Sequence, residues 1–301
     1  MLDTTLPAPV AAALREPQAG TRIRVDAAGI PFSALTWGER AHRPLVMLHG
    51  VTSSAATWWR IGPALAATGR YVVAMDLPGH GLTGAWHGHH RFADNARDIA
   101  AFIREAGLAG SRQDGDRGLQ VIGHSYGAMT AAELPAMGVL PATIVLVDPP
   151  AVSHAVISQM LADPDERTYD QLDEATAAIQ AANPGWTERD VLAKAESLTQ
   201  LDEEAARAIL LENGDWDGGL AALEGPALAD VDVWLIRSDP AEGGYIPDDV
   251  VPAFEATLGA HHVVTLTGAP HSPHRLQPEA TTAALIRALD GSAGDPLRTD
   301  R

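Results

Sequence analysis

The chain opens without rhythm and then acquires one. Residues 1–20 are rich in Ala and Pro with no clear period, which predicts a loose arm. Residues 21–25 and 31–37 alternate apolar and polar positions around Ala28-Gly29, the pattern of a β-hairpin. From Leu45 the alternation gives way to short, nearly unbroken apolar runs at 45–48, 71–75, 119–122, 142–147, 231–236 and 262–266, which read as strands. Stretches at 55–67, 92–106, 250–258 and 278–289 read as helices. In the second of these, Ala96, Ile99, Ala100 and Ile103 fall at helical spacing and Gly107 ends the run. Near-continuous apolar strands alternating with helices predict a parallel sheet buried on both faces.

The rhythm breaks between residues 152 and 223, where no strand pattern is visible and only capped helical segments remain. Thr187-Glu188-Arg189-Asp190 has the form of a capping box, and Asp202 before Glu203-Glu204 marks another helix start. The pattern therefore predicts one α/β core, residues 21–150 and 227–290, with a mostly parallel central sheet flanked by helices. A helical cap, residues 151–226, interrupts it, and residues 291–301 form a tail. A polar surface loop is expected at 110–118.

Composition narrows the chemistry. The chain has no cysteine, which excludes disulfides, thiolate catalysis and Cys-based metal sites. A formal net charge of −18 argues against nucleic acid as a partner. The segment 151–226 carries 16 acidic and 4 basic residues, so it holds most of that excess. Such a cluster is either a solvated helical surface or a field that disfavours anionic substrates. Lys194 is the only lysine, which leaves little room for a Ser–Lys mechanism or a Schiff base. The first basic residue is Arg15, so no secretory n-region stands at the start, and Pro135 and Pro141 break the apolar stretch 134–147. The expectation is a soluble cytoplasmic protein with no membrane partner.

The most informative motif is Gly123-His124-Ser125-Tyr126-Gly127, set between the apolar run Leu119-Gln120-Val121-Ile122 and the helical Ala128 to Leu134. A Gly-x-Ser-x-Gly at a strand-to-helix turn writes a nucleophile elbow, in which the serine hydroxyl projects above the sheet. A serine needs a base, and the base needs a third group to fix its tautomer. His271, in Gly268-Ala269-Pro270-His271, and Asp239, in Arg237-Ser238-Asp239-Pro240, both follow predicted strands, at the edge where open α/β sheets place their sites.

In these residues, with His49-Gly50 after the first core strand and Asp76-Leu77-Pro78-Gly79-His80-Gly81 after the next, the chain resembles an α/β-hydrolase fold serine hydrolase over about residues 22–290. The resemblance is esterase- or lipase-like, with a helical lid. It implies Ser125 as nucleophile, His271 as general base and acid, and Asp239 as the acid that orients it. It also implies an oxyanion hole formed by the backbone N–H groups of Val51 and Tyr126. Asp148, in Val147-Asp148-Pro149-Pro150, is the alternative acid, since some branches of the family place it there. His124 is expected to hydrogen-bond locally, His274 to start a helix, and Asp76 to serve as a structural acceptor. His87, His89 and His90 are spaced as zinc ligands are, but no carboxylate cluster accompanies them, so neither metal nor cofactor is expected.

The implied activity is hydrolysis of a small to medium, uncharged carboxylic ester through an acyl-enzyme on Ser125. Lactonase, cofactor-free perhydrolase, C–C bond hydrolase and amidase chemistry share the same triad. A ligand-binding protein that keeps the hydrolase fold is the non-enzymatic alternative. The expected partner is a small-molecule ester or lactone.

Overall fold

The computed structural model describes residues 4–84, 88–109, 118–160 and 166–291. Most of the polar loop expected at 110–118, His87 and the tail from residue 292 lie outside them. Ten strands follow in chain order: β1 Thr21–Ala27, β2 Ile30–Trp37, β3 Arg43–Leu48, β4 Arg70–Met75, β5 Gln120–His124, β6 Thr143–Val147, β7 Ala151–Val152, β8 Trp216–Asp217, β9 Asp232–Ser238 and β10 Val263–Leu266. The helices are α1 Ala8–Arg15, α2 Ile61–Ala66, α3 Phe92–Glu105, α4 Tyr126–Glu133, α5 His154–Gln159, α6 Leu172–Ala182, α7 Glu188–Thr199, α8 Glu203–Glu212, α9 Leu220–Leu223, α10 Val251–Leu258, α11 Pro273–Leu276 and α12 Pro278–Asp290. Eight strands form one sheet in the order β1-β2-β4-β3-β5-β6-β9-β10. β1, β2 and β4 pair antiparallel, and from β4 to β10 every neighbour is parallel.

The period of two along each strand divides the core between two faces. Val46, Leu48, Val73, Val121, Ile144 and Leu146 pack with α3 and α4. Their alternates Leu45, Met47, Val72, Ile122, Val145 and Ile236 pack with α2 and α12 on the other side. This double burial is why the strands read as unbroken apolar runs. At the β1–β2 turn, Ala28 and Gly29 both take positive φ (51° and 79°), the geometry a two-residue hairpin demands.

Two expectations are corrected. The arm expected to be loose carries α1, whose Val10 (1% exposed) and Leu14 are buried in the α2/α12 core, so apolar contact fixes it despite the weak period. The helical insertion also contains a strand pair, β7 with β8, too short to leave an alternating pattern. The insertion otherwise behaves as the capping residues indicate. Thr187 accepts from the Asp190 N–H, and Asp202 accepts from the N–H groups of Glu204 and Ala205. Tyr169, Ile179, Val191 and Leu198 give α6 and α7 a small core of their own.

Candidate active site

Four loops meet beyond the carboxyl ends of β3, β5, β6 and β10. The elbow after β5 is the tightest. Ser125 takes φ 54° and ψ −124°, a conformation costing of order 1–3 kcal/mol for a non-glycine residue. Its N–H bonds Val147 O (2.9 Å), and its carbonyl accepts from the Ala128 N–H, so the strain is held from both sides. The flanking glycines are required by contact. A Cβ on Gly123 would lie 2.3 Å from Gly127 O, and one on Gly127 would lie 2.6 Å from His49 O. The β3 loop approaches as closely: a Cβ on Gly50 would sit 3.2 Å from Ser125 Cβ.

His271 follows β10. Its Nδ1 donates to Asp148 Oδ2 at 2.7 Å, and its backbone carbonyl accepts from His124 Nε2–H at 2.8 Å. Tyr245 meets the imidazole edge-on, with ring centroids 4.4 Å apart. Asp148 is fully buried and positively dihedral (φ 43°), and its carboxylate also accepts from the N–H groups of Ser238 (3.0 Å) and Tyr245 (3.1 Å). Three donors thus converge on one carboxylate. Ser125 itself is buried (7% exposed), and its Oγ makes no hydrogen bond among the described residues.

Asp239, expected first as the acid, is not brought to His271. Its Oδ1 accepts from the Ala241 N–H (3.0 Å), capping a short turn, and its Oδ2 accepts from the Gly268 N–H (2.8 Å). Those two backbone bonds hold its carboxyl below the usual range. Asp239 thus ties down the loop that carries His271, while Asp148, the alternative, occupies the position behind the ring. The reason is positional: β6 pairs directly with β5, so the loop after β6 lies next to the elbow.

Around Val51 the chain is fixed residue by residue. His49 donates Nδ1–H to Gly50 O (2.8 Å) and accepts the Leu77 N–H at Nε2 (3.0 Å), which defines a neutral tautomer. Burial, reinforced by His80, holds His49 well below the ordinary imidazole range. His80 Nε2 is held to Val51 O and its Nδ1 lies 2.8 Å from Pro78 O. Burial lowers its pKa although both carbonyls favour the charged form. The Tyr126 N–H opens α4 and is one of that helix's orphan donors. Asp76 accepts from Arg22, Ala55 N–H and Leu82 N–H, the structural part expected of it. His274 lies in α11, with Nε2 2.9 Å from Thr57 Oγ1.

A family model described as the alpha/beta hydrolase family matches residues 45–285, most of the chain. The chain belongs to that family. A lipase of Mycobacterium tuberculosis, LipV, is 27% identical over 280 residues, spanning 85% of this chain and 96% of that one. Among solved structures, E-2-(acetamidomethylene)succinate hydrolase superposes with a TM-score of 0.72 at 21% identity, covering 90% of this chain and 99% of that one. An esterase of Rhodococcus, RhEst1, gives 0.66 at 20% identity and covers 91% and 99%. At those identities the likeness is one of fold.

Within this family frame, sequence reasoning missed what pins His271 from below. His124 stands inside the elbow motif, yet nothing in its spacing signals that its ring reaches the His271 carbonyl. Among the described residues no cluster of three metal-ligating side chains occurs, and no helix is long and apolar enough to cross a membrane.

Proposed function

We propose that this protein is a serine hydrolase that cleaves uncharged carboxylic esters through an acyl-enzyme on Ser125, with His271 as base and Asp148 as the acid behind it. The observation that carries the reading is the pairing of a strained elbow serine with a 2.7 Å hydrogen bond from His271 to the buried Asp148. With Nδ1–H committed to Asp148, the His271 Nε2 lone pair is free to take a proton. Oγ of Ser125 attacks the ester carbonyl as its proton passes to Nε2. The tetrahedral oxyanion then meets the N–H groups of Val51 and Tyr126, the second at a helix N-terminus where negative charge is favoured. Collapse expels the alcohol, which takes the proton from His271 and leaves Ser125 acylated. Water then loses its proton to the same imidazole, attacks the acyl carbon, and releases the acid and free Ser125. The Ser125–His271 hydrogen bond this step requires would tighten with substrate, as catalytic contacts often do.

The lipase relative supports ester chemistry, and the acidic insertion supports an uncharged substrate, since a carboxylate would approach against its field. A fluorophosphonate, which reacts with activated serines, tests the reading by intact mass. We expect one adduct on the wild type and none on Ser125→Ala or His271→Ala. A folded wild type that stays unlabelled would overturn it in favour of a binding protein.

A further inference from the structure

The only lysine of the chain lies in α7 of the helical insertion and is buried, 5% exposed. Its Nζ reaches three oxygens: Glu166 Oε2 at 2.7 Å, Thr52 Oγ1 at 2.7 Å and Thr52 O at 3.1 Å. Thr52 Oγ1 in turn donates to Glu166 Oε2. Two of the three oxygens belong to the residue immediately after Val51.

The rest of that face of α7 docks on the same loop. Asp190, Lys194 and Ser197 stand at helical spacing. Asp190 Oδ1 accepts from Trp59 Nε1 at 2.9 Å, and the Ser197 and Ser54 hydroxyls lie 2.8 Å apart. The loop is gripped at three successive carbonyls. Gly50 O accepts from His49 and from the Ser53 N–H, Val51 O is held by His80, and Thr52 O accepts from Lys194. The Gly50–Val51 peptide is planar and trans, so fixing its carbonyl and its two successors fixes where the Val51 N–H points.

We propose that Lys194 is a positioning residue for the oxyanion donor: by holding Thr52 from the insertion, it sets the direction of the Val51 N–H. The inference rests on the reading of Ser125 as nucleophile. It makes the insertion part of the catalytic machinery, since the third grip on the loop comes from α7. His49 and His80 supply the grips from the core.

The test uses Lys194→Met, Lys194→Arg and the double variant Lys194→Met/Glu166→Met, which leaves no partly buried carboxylate without its cation and so protects the fold. Three quantities are read: kcat and KM with a p-nitrophenyl ester, and the affinity of a trifluoromethyl ketone whose hemiketal on Ser125 mimics the tetrahedral intermediate. Loss of one oxyanion donor costs about 10²–10³ in kcat, so partial misdirection predicts a fall of roughly tenfold or more in both Met variants. KM should stay within about twofold, ketone affinity should fall in step with kcat/KM, and Lys194→Arg should recover part of the loss. Unchanged kcat and ketone affinity in a folded double variant would overturn the proposal and leave Lys194 a structural fastening. Fluorophosphonate labelling of the wild type separates the two layers: without it, the reading of Ser125 fails first and the inference with it.

Discussion

At the scale of single residues the site depends on backbone positions that side chains alone do not reveal. Ser125 and Asp148 both hold positive φ without being glycine, and both stand directly beyond adjacent strands. Strain at neighbouring positions of this kind persists only where the surroundings over-determine it. Asp148 is held by three donors and Asp239 by two backbone amides on a different errand. Asp148→Asn is therefore expected to lower kcat by about 10³–10⁴, because an amide at that place sets the wrong histidine tautomer. Asp239→Asn should change kcat by less than about tenfold, since it only loosens the loop. Steady-state kinetics on the two variants decides between them, and the reverse ranking would restore Asp239 as the acid. Ser125 and His271 were legible as candidates because glycine spacing and chain order are local signals. Asp148 stood in the sequence only as the alternative to Asp239, because Asp148-Pro149-Pro150 reads as a turn and only strand adjacency brings it beside His271.

At the scale of elements, legibility followed the strength of the period. The core strands and the helices α3, α10 and α12 lie within a few residues of where apolar spacing puts them, because each buries a face that only that spacing provides. The expected helix at 55–67 is instead a short 3₁₀ turn, Ala55–Trp58, followed by α2. The Asp76 carboxylate takes the Ala55 N–H there, and Ser54 caps the turn. Such side-chain capping from a distant loop leaves no periodic trace. Helix α1 was invisible for the complementary reason: only Val10 and Leu14 bury, too few to mark a stripe. The insertion's own helices were legible from Thr187 and Asp202, but their docking was not. The contacts of Asp190, Lys194 and Ser197 with residues 52–59 join segments more than a hundred positions apart.

Over the whole molecule, several buried histidines gather beyond the carboxyl ends of the parallel strands. Burial holds His49, His124 and His274 well below the ordinary imidazole range. His80 adds to this for His49, His271 and Arg275 for His124, and His124 and Arg275 for His274. The unfolded chain takes up protons on these groups below about pH 6.5 while the folded chain does not, so stability must fall as pH drops through that value. Each histidine contributes a slope of about 1.4 kcal/mol per pH unit in the window below 6.5 and above its folded pKa. Asp98 acts in the opposite direction: partial burial raises it to about 6, so its folded form gains a proton first. Burial also lowers His80 and raises Glu133, so four imidazoles act against two carboxyls; Tm by calorimetry should decline from pH 7 to pH 5, and His274→Gln should flatten the decline. A Tm independent of pH across that range would show that these rings are charged or exposed in the folded protein.

The proposed mechanism turns on covalent chemistry at one hydroxyl, and one measurement reaches it directly. A p-nitrophenyl ester is mixed with the protein, the reaction is quenched in acid during turnover, and the intact mass is read and mapped by digestion. A fraction of chains should carry the acyl group on Ser125, with none on Ser125→Ala. That fraction should accumulate further in Asp148→Asn if deacylation slows more than acylation. Sustained turnover by the wild type, with no acyl adduct at Ser125 and undiminished rate in Ser125→Ala, would contradict that mechanism.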